Sequence, residues 1–189
     1  MPPRKVEFHT GHYYHLYNRG NNFQSVFFER ENYLHFLRLL RQHLMGEALD
    51  VIAYCLMPNH YHLLVNLKTD ALSKKMQPFL LAYTKAINKR YERVGSLFQG
   101  RFQGIHVDSN AYLLHLVQYI HLNPVKAGFV KAPEAWEFSS YREYVGLRDG
   151  TLPKMDAVRS QFTSAEAYCR FVKAHDENHS MIKHLTIDE

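Results

Sequence analysis

Two histidines spaced i, i+2, His60 and His62 in the run "LMPNHYHLLVNL", sit in an extended, apolar stretch and project from one face of a strand. Two imidazoles so placed can grip one divalent cation. The spacing alone carries little weight: 13 histidines in 189 residues give about one His-x-His by chance. A second segment, "LVQYIHLNPVKAG", strengthens it. Tyr119 and Asn123 are one helical turn apart and share a stripe of that helix. Asn123 could add an oxygen ligand to the cation held by His60 and His62, and Tyr119 could present its phenol beside it. Mg²⁺ or Mn²⁺ suits mixed nitrogen and oxygen donors, whereas two histidines without soft partners do not close a structural zinc site. The chemistry implied is in-line attack of the Tyr119 phenol on a DNA phosphodiester, with a 3′-hydroxyl leaving and a 5′-phosphotyrosyl link remaining. The ordinary alternatives are outward polar histidines on a half-solvated sheet, a packed tyrosine and a helix-terminal asparagine. Taken together, the four residues favour the chemical reading.

Basic residues surround these segments. Lys74, Lys75, Lys89 and Arg90 fall on one helical stretch, Arg101 lies in "SLFQGRFQG", Lys126 follows the tyrosine and Arg19 follows the first strand. Arg101, flanked by Phe98 and Phe102, is a candidate for phosphate contact beside stacked bases. Arg4 and Lys5 could extend the track. A net charge of +5 and an aromatic content of 14% permit a nucleic-acid partner without demanding one. The two cysteines, Cys55 and Cys169, match no metal or redox spacing. No stretch reads as a membrane span or a secretory signal, so a cytoplasmic location is expected.

The elements that must position these residues follow from periodicity. His12 to Asn18 reads as a strand. Glu29 to Met45 has helical spacing, Asp50 to Met57 and His60 to Leu67 read as paired strands about Pro58-Asn59, and Asp70 to Arg93 is a helix that must kink or restart at Pro78. Phe98 to Val107 is extended. Asp108 or Ser109 caps a helix through Tyr119, expected to stop before Pro124. The order predicts an α+β, ferredoxin-like split β-α-β domain, with an antiparallel sheet and helices on one side. Residues 1–146 would form this domain and 147–189 a C-terminal helical extension. Within the extension, Gly150 to Pro153 reads as a linker, "SAEAYCRFVKAH" as a capped helix and the last residues as frayed.

The segments "RGNNFQSVFF", "YCLMPNHYHLLV", "GSLFQGRFQGIHVDS", "YLLHLVQYIHLNPVKAGFV" and "WEFSSYREYVG" resemble, in this order, the single-tyrosine HUH transposases, and most closely the REP-associated tyrosine transposases. The resemblance spans roughly residues 8 to 146. It implies that His60 and His62 are the metal ligands, that Tyr119 is the nucleophile and that Asn123 takes the place of the third ligand. Tyr61 occupies a position where an aliphatic residue is more usual, raising the possibility of a second phenol near the site. The implied substrate is single-stranded DNA next to a hairpin, cut by a monomer or homodimer with Mg²⁺ or Mn²⁺. The alternative on the same scaffold is a hairpin- or repeat-binding regulator with little or no turnover.

Overall fold

The computed structural model describes residues 6–174; Arg4, Lys5 and the C-terminal residues expected to fray lie outside them. Four strands, β1 (Tyr13–Arg19), β2 (Leu49–Met57), β3 (His60–Leu67) and β4 (Gln103–Val107), form one sheet in the order β2-β3-β1-β4, antiparallel throughout. Between them run α1 (Arg30–His43) and α2 (Leu72–Arg90), and α3 (Asn110–Lys126) follows β4. This is the ferredoxin-like order expected from the sequence, and the bounds of β3 coincide with the expected ones.

The expectation of helices on one side holds for α1 and α2. Their apolar stripes (Phe36, Leu40, Phe79 and Tyr83 among them) bury the face carrying Tyr61, Leu63 and Val65. Helix α3 covers the opposite face, packing Leu116, Val117 and Ile120 against Cys55, Met57 and Leu64. Strand β3 therefore has no solvent face, and its histidines are buried.

Helix α1 begins with a capping box, in which Asn32 Oδ1 accepts the Glu29 amide at 3.2 Å and the Glu29 side chain accepts in return from the Asn32 amide. Helix α2 is one continuous element through Pro78, so it does not restart there. Pro78 and Lys74 are both exposed, so the Lys74 carbonyl that loses its helical donor faces water. Helix α3 starts at Ser109, whose Oγ accepts the Tyr112 amide at 3.3 Å. It also runs past Pro124 rather than stopping before it. Pro124 has no amide hydrogen to offer the Ile120 carbonyl. The ladder resumes with the Ala127 amide on the Asn123 carbonyl at 3.0 Å, and burial of Leu122, Asn123 and Pro124 outweighs the local bias.

Beyond α3 come a 3₁₀ turn (Pro133–Ala135), α4 (Tyr141–Tyr144), α5 (Asp156–Arg159) and α6 (Ala165–Lys173). The segment expected to be a linker docks on the open edge of β2: Leu152 is buried, Pro153 bridges Val51, and the Lys154 amide reaches the Val51 carbonyl at 2.7 Å. Together with the Leu56 amide on the Phe138 carbonyl, these contacts cover that edge. The expected capped helix is α6, with Ser164 as its cap. Its Tyr168 and Val172 join the cluster under α3, so the described part of the extension shares its core with the sheet domain.

Candidate active site

Antiparallel register decides which side chains share a face. His60 stands opposite Arg19 on β1 and Met57 on β2, and His62 stands opposite Tyr17 and Cys55. Directly opposed residues point to the same side of a sheet, so Arg19, Tyr17, His60 and His62 all face α3. From that helix the stripe Tyr119, Asn123, Lys126 comes down onto them.

The Asn123 amide lies between the two imidazoles. Its Oδ1 is 3.3 Å from His60 Nε2 and its Nδ2 is 3.4 Å from His62 Nε2. All three residues are buried. The Tyr119 ring meets the His62 ring edge-on, with centroids 5.4 Å apart and planes at 80°. The Lys126 ammonium stands over the Tyr119 ring. Tyr119 itself is only 3% exposed.

The remaining nitrogen of each imidazole is also engaged. His60 Nδ1 is 2.7 Å from Asn59 Oδ1, and His62 Nδ1 is 2.9 Å from His15 Nε2. Asn59 is oriented by its Nδ2, which donates to the Phe23 carbonyl at 3.5 Å, so its oxygen faces His60 and accepts the Nδ1 proton. His60 Nε2 faces Asn123 Oδ1 at 3.3 Å, a gap that a proton on that nitrogen or a cation would bridge. Ligands cis on an octahedral Mg²⁺ stand about 3 Å apart, close to the 3.3 Å between His60 Nε2 and Asn123 Oδ1. Burial, then the neighbouring His60 and His15, hold His62 well below its ordinary pKa and hence neutral, the form that coordinates metal. The donor set therefore fits a hard divalent ion. Among the described residues no group of three or more His, Cys, Asp or Glu could hold a metal, so two imidazoles and an amide would need water or substrate oxygens to complete the shell.

The structure brings together His60, His62, Asn123, Tyr119 and Lys126, with Arg19 at the rim. The Arg19 Nε donates to Gln99 Oε1 at 2.5 Å, and its guanidinium lies over the Phe23 ring at 4.0 Å. The α2 residues and Arg101 lie toward the other side of the sheet. Lys75 pairs with Glu47 at 3.1 Å and Arg90 with Glu29 at 3.1 Å, while Lys89 is exposed. Lys74 and Arg101 line a cleft of about 570 Å³ between α2 and residues 96–102, with Gln77, Thr84, Phe98 and Phe102. Tyr61 is no second phenol for the site. It points the opposite way, against Phe36 and Phe98. The phenol on the site's face is Tyr17, its ring 6.4 Å from that of His62. Sequence reasoning also missed His15 and Asn59. Alternation in "HYYHLYN" puts His15 and Tyr17 on one face, and pairing of that strand with β3 would have found both.

The profile of the IS200-like transposases matches residues 8–123, which hold all four strands and α3 as far as Asn123. The chain belongs to this family. It is 26% identical over 107 residues to a candidate REP-associated tyrosine transposase of Haemophilus influenzae, covering 51% of this chain and 61% of that protein. It is 28% identical over 98 residues to the REP-associated tyrosine transposase of Escherichia coli K12, covering 51% and 56%. The matches thus span about three fifths of the length of these relatives. The fold is similar to that of a REP-associated tyrosine transposase solved bound to a REP hairpin, with a TM-score of 0.63 at 20% identity over 82% of this chain and 97% of that one. Among the described residues, no helix is long and apolar enough to cross a membrane.

Proposed function

We propose that this chain is a metal-dependent transposase that nicks and rejoins single-stranded DNA next to hairpins through Tyr119. The observation that carries the reading is the convergence of His60 Nε2, His62 Nε2 and the Asn123 amide within 3.4 Å, with Tyr119 edge-on to His62. His60, His62 and Asn123 would hold Mg²⁺ or Mn²⁺, which when bound neutralises charge developing on the scissile phosphate.

The chain's own residues do the rest. The Tyr119 oxygen attacks phosphorus, a Tyr119 O–P bond forms, and the P–O3′ bond breaks. The phenol gives up its proton and the departing 3′-oxygen gains one. A phenol has an ordinary pKa near 10, so the attack needs activation, and a cation beside the ring favours the phenolate. Lys126 supplies that charge from the same helix. Because the 5′-phosphotyrosyl link keeps the energy of the phosphodiester, a second 3′-hydroxyl can reverse the step and join strands.

Arg19 and Lys126 flank the reacting centre and would contact the phosphates nearest to it. Lys74, Lys89 and Arg101 stand further off and would serve a hairpin stem; Lys75 and Arg90 could join them only by leaving their carboxylate partners. Binding carried by such contacts weakens steeply with salt. Labelled hairpin oligonucleotides with single-stranded flanks, incubated with protein and Mn²⁺, test the reading. A covalent adduct on a denaturing gel that disappears in Tyr119→Phe and on chelation supports it. Tight hairpin binding with no adduct favours a repeat-binding regulator instead.

A further inference from the structure

We infer that His15 is a positioning residue that holds His62 in the tautomer whose Nε2 lone pair faces Asn123. The inference rests on the site reading above. His15 lies on β1, fully buried, two residues before the partner of His62 in the register. Its Nε2 is 2.9 Å from His62 Nδ1, and the two rings are stacked with centroids 5.0 Å apart and planes within 21°.

A contact of 2.9 Å between two neutral imidazole nitrogens holds one proton, which belongs to one ring or the other. If His15 donates it, His62 must carry its own proton on Nε2, and that nitrogen can bind no cation. If His62 donates it, Nε2 is a lone pair. Cation binding through His62 Nε2, the nitrogen that faces Asn123, requires the second case: Nδ1 then carries the proton and His15 Nε2, 2.9 Å away, receives it. His15 is thereby placed in its own Nδ1–H form.

Asn59 does the same for His60 from the β2–β3 turn, with an oxygen that can only accept. The two ligand imidazoles are thus fixed by two separate acceptors, one from a turn and one from the neighbouring strand. Partners of this kind orient a histidine ligand and raise its basicity, and losing one typically weakens metal binding about 10- to 100-fold. The ring stacking adds a constraint that a flexible acceptor would lack: both rings sit on paired strands, so His62 cannot swing to offer Nδ1 instead.

The test uses the full chain as wild type, His15→Leu and His15→Gln, each checked for a native unfolding transition. ¹⁵N NMR of the metal-free proteins reads which His62 ring nitrogen is protonated, and Mn²⁺ affinity is measured by EPR without DNA. Protonated Nδ1 in wild type, loss of that preference in His15→Leu with Mn²⁺ affinity weakened about 10- to 100-fold, and partial recovery in His15→Gln, whose amide oxygen can accept, support the role. Protonated Nε2 in wild type, or a folded His15→Leu that binds Mn²⁺ like wild type, overturns it. Wild type that binds no Mn²⁺ overturns the metal-site reading instead, and the NMR result alone then decides the role of His15.

Discussion

Lys126 carries its ammonium 5.3 Å from the centre of the Tyr119 ring, two turns further along the same helix. On the proposed reading, that places a positive charge beside a ring whose oxygen would become anionic as it attacks phosphorus. A cation over an aromatic face contributes about 0.5–2 kcal/mol. Lys126→Gln is therefore expected to slow single-turnover cleavage by roughly 2- to 30-fold. Mn²⁺ affinity should stay unchanged, because Lys126 is not among the ligands, and Lys126→Arg should restore most of the rate. An unchanged rate in Lys126→Gln would remove Lys126 from the mechanism.

Asn123 joins the two imidazoles through one amide, so its substitutions separate charge from shape. Asn123→Ala removes the oxygen and leaves His60 and His62 alone; Mn²⁺ binding should weaken at least about tenfold. Asn123→Asp keeps an oxygen in place and adds a negative charge, so Mn²⁺ binding should match or exceed that of wild type. Titration by calorimetry reads both. Equal affinity in wild type and Asn123→Ala would show that the amide is not a ligand.

Much of this site was legible in the sequence because strand and helix periods convert spacing directly into facing. His60 and His62 share a face by alternation, Tyr119 and Asn123 share a stripe by helical repeat, and the four meet as expected. What spacing could not supply was pairing between strands. His15 and Asn59 act through nitrogens of β3 that no local pattern reveals, and Tyr17 reaches the site only through the β1–β3 register. The basic residues were legible as charges, not as a surface: α2 packs on the far face of the sheet, which separates its lysines from the tyrosine. Pro124 misled for a related reason. Its local bias is real, but a helix end buried against β2 and β3 overrides it.

His121, also on α3, illustrates a histidine used for packing. It is wholly buried, with Nδ1 2.6 Å from the Tyr168 hydroxyl and Nε2 2.8 Å from Ser140 Oγ. One proton arrangement satisfies the whole chain. Tyr168 O–H donates to Nδ1, Nε2–H donates to Ser140, and Ser140 both accepts the Tyr54 amide and donates to the Tyr54 carbonyl. Burial pushes His121 from an ordinary 6.5 down to about 3. Between those values the unfolded chain takes up a proton that the folded chain refuses. Stability is thus full above pH 6.5 and falls on acidification, by about 1.4 kcal/mol per pH unit at most, until pH reaches about 3. Urea unfolding across this range should show the slope, and a folded His121→Gln should flatten it. Tyr168→Phe strands the buried Nδ1 and should cost about 1–3 kcal/mol at neutral pH.

Glu143 and Arg148 tie α4 to the start of the C-terminal extension. The Glu143 side chain is 3% exposed, and its Oε2 accepts from Arg148 Nη2 at 2.6 Å. The same guanidinium also donates to the Glu137 and Ser139 carbonyls, holding the segment that covers the β2 edge. Gly150 completes the enclosure, since an added Cβ would collide with the Glu143 carboxylate. Removing only the cation leaves a buried carboxylate without its partner. Arg148→Met should therefore cost about 3–5 kcal/mol, whereas Glu143→Gln combined with Arg148→Met should recover part of that loss because no charge is stranded. Gly150→Ala should destabilise as well, by pressing on the same carboxylate. Denaturant midpoints for the single and double variants form the test. If the losses simply add, the pair is not coupled, and the extension is held instead by Leu152, Tyr168 and Val172 through apolar packing alone.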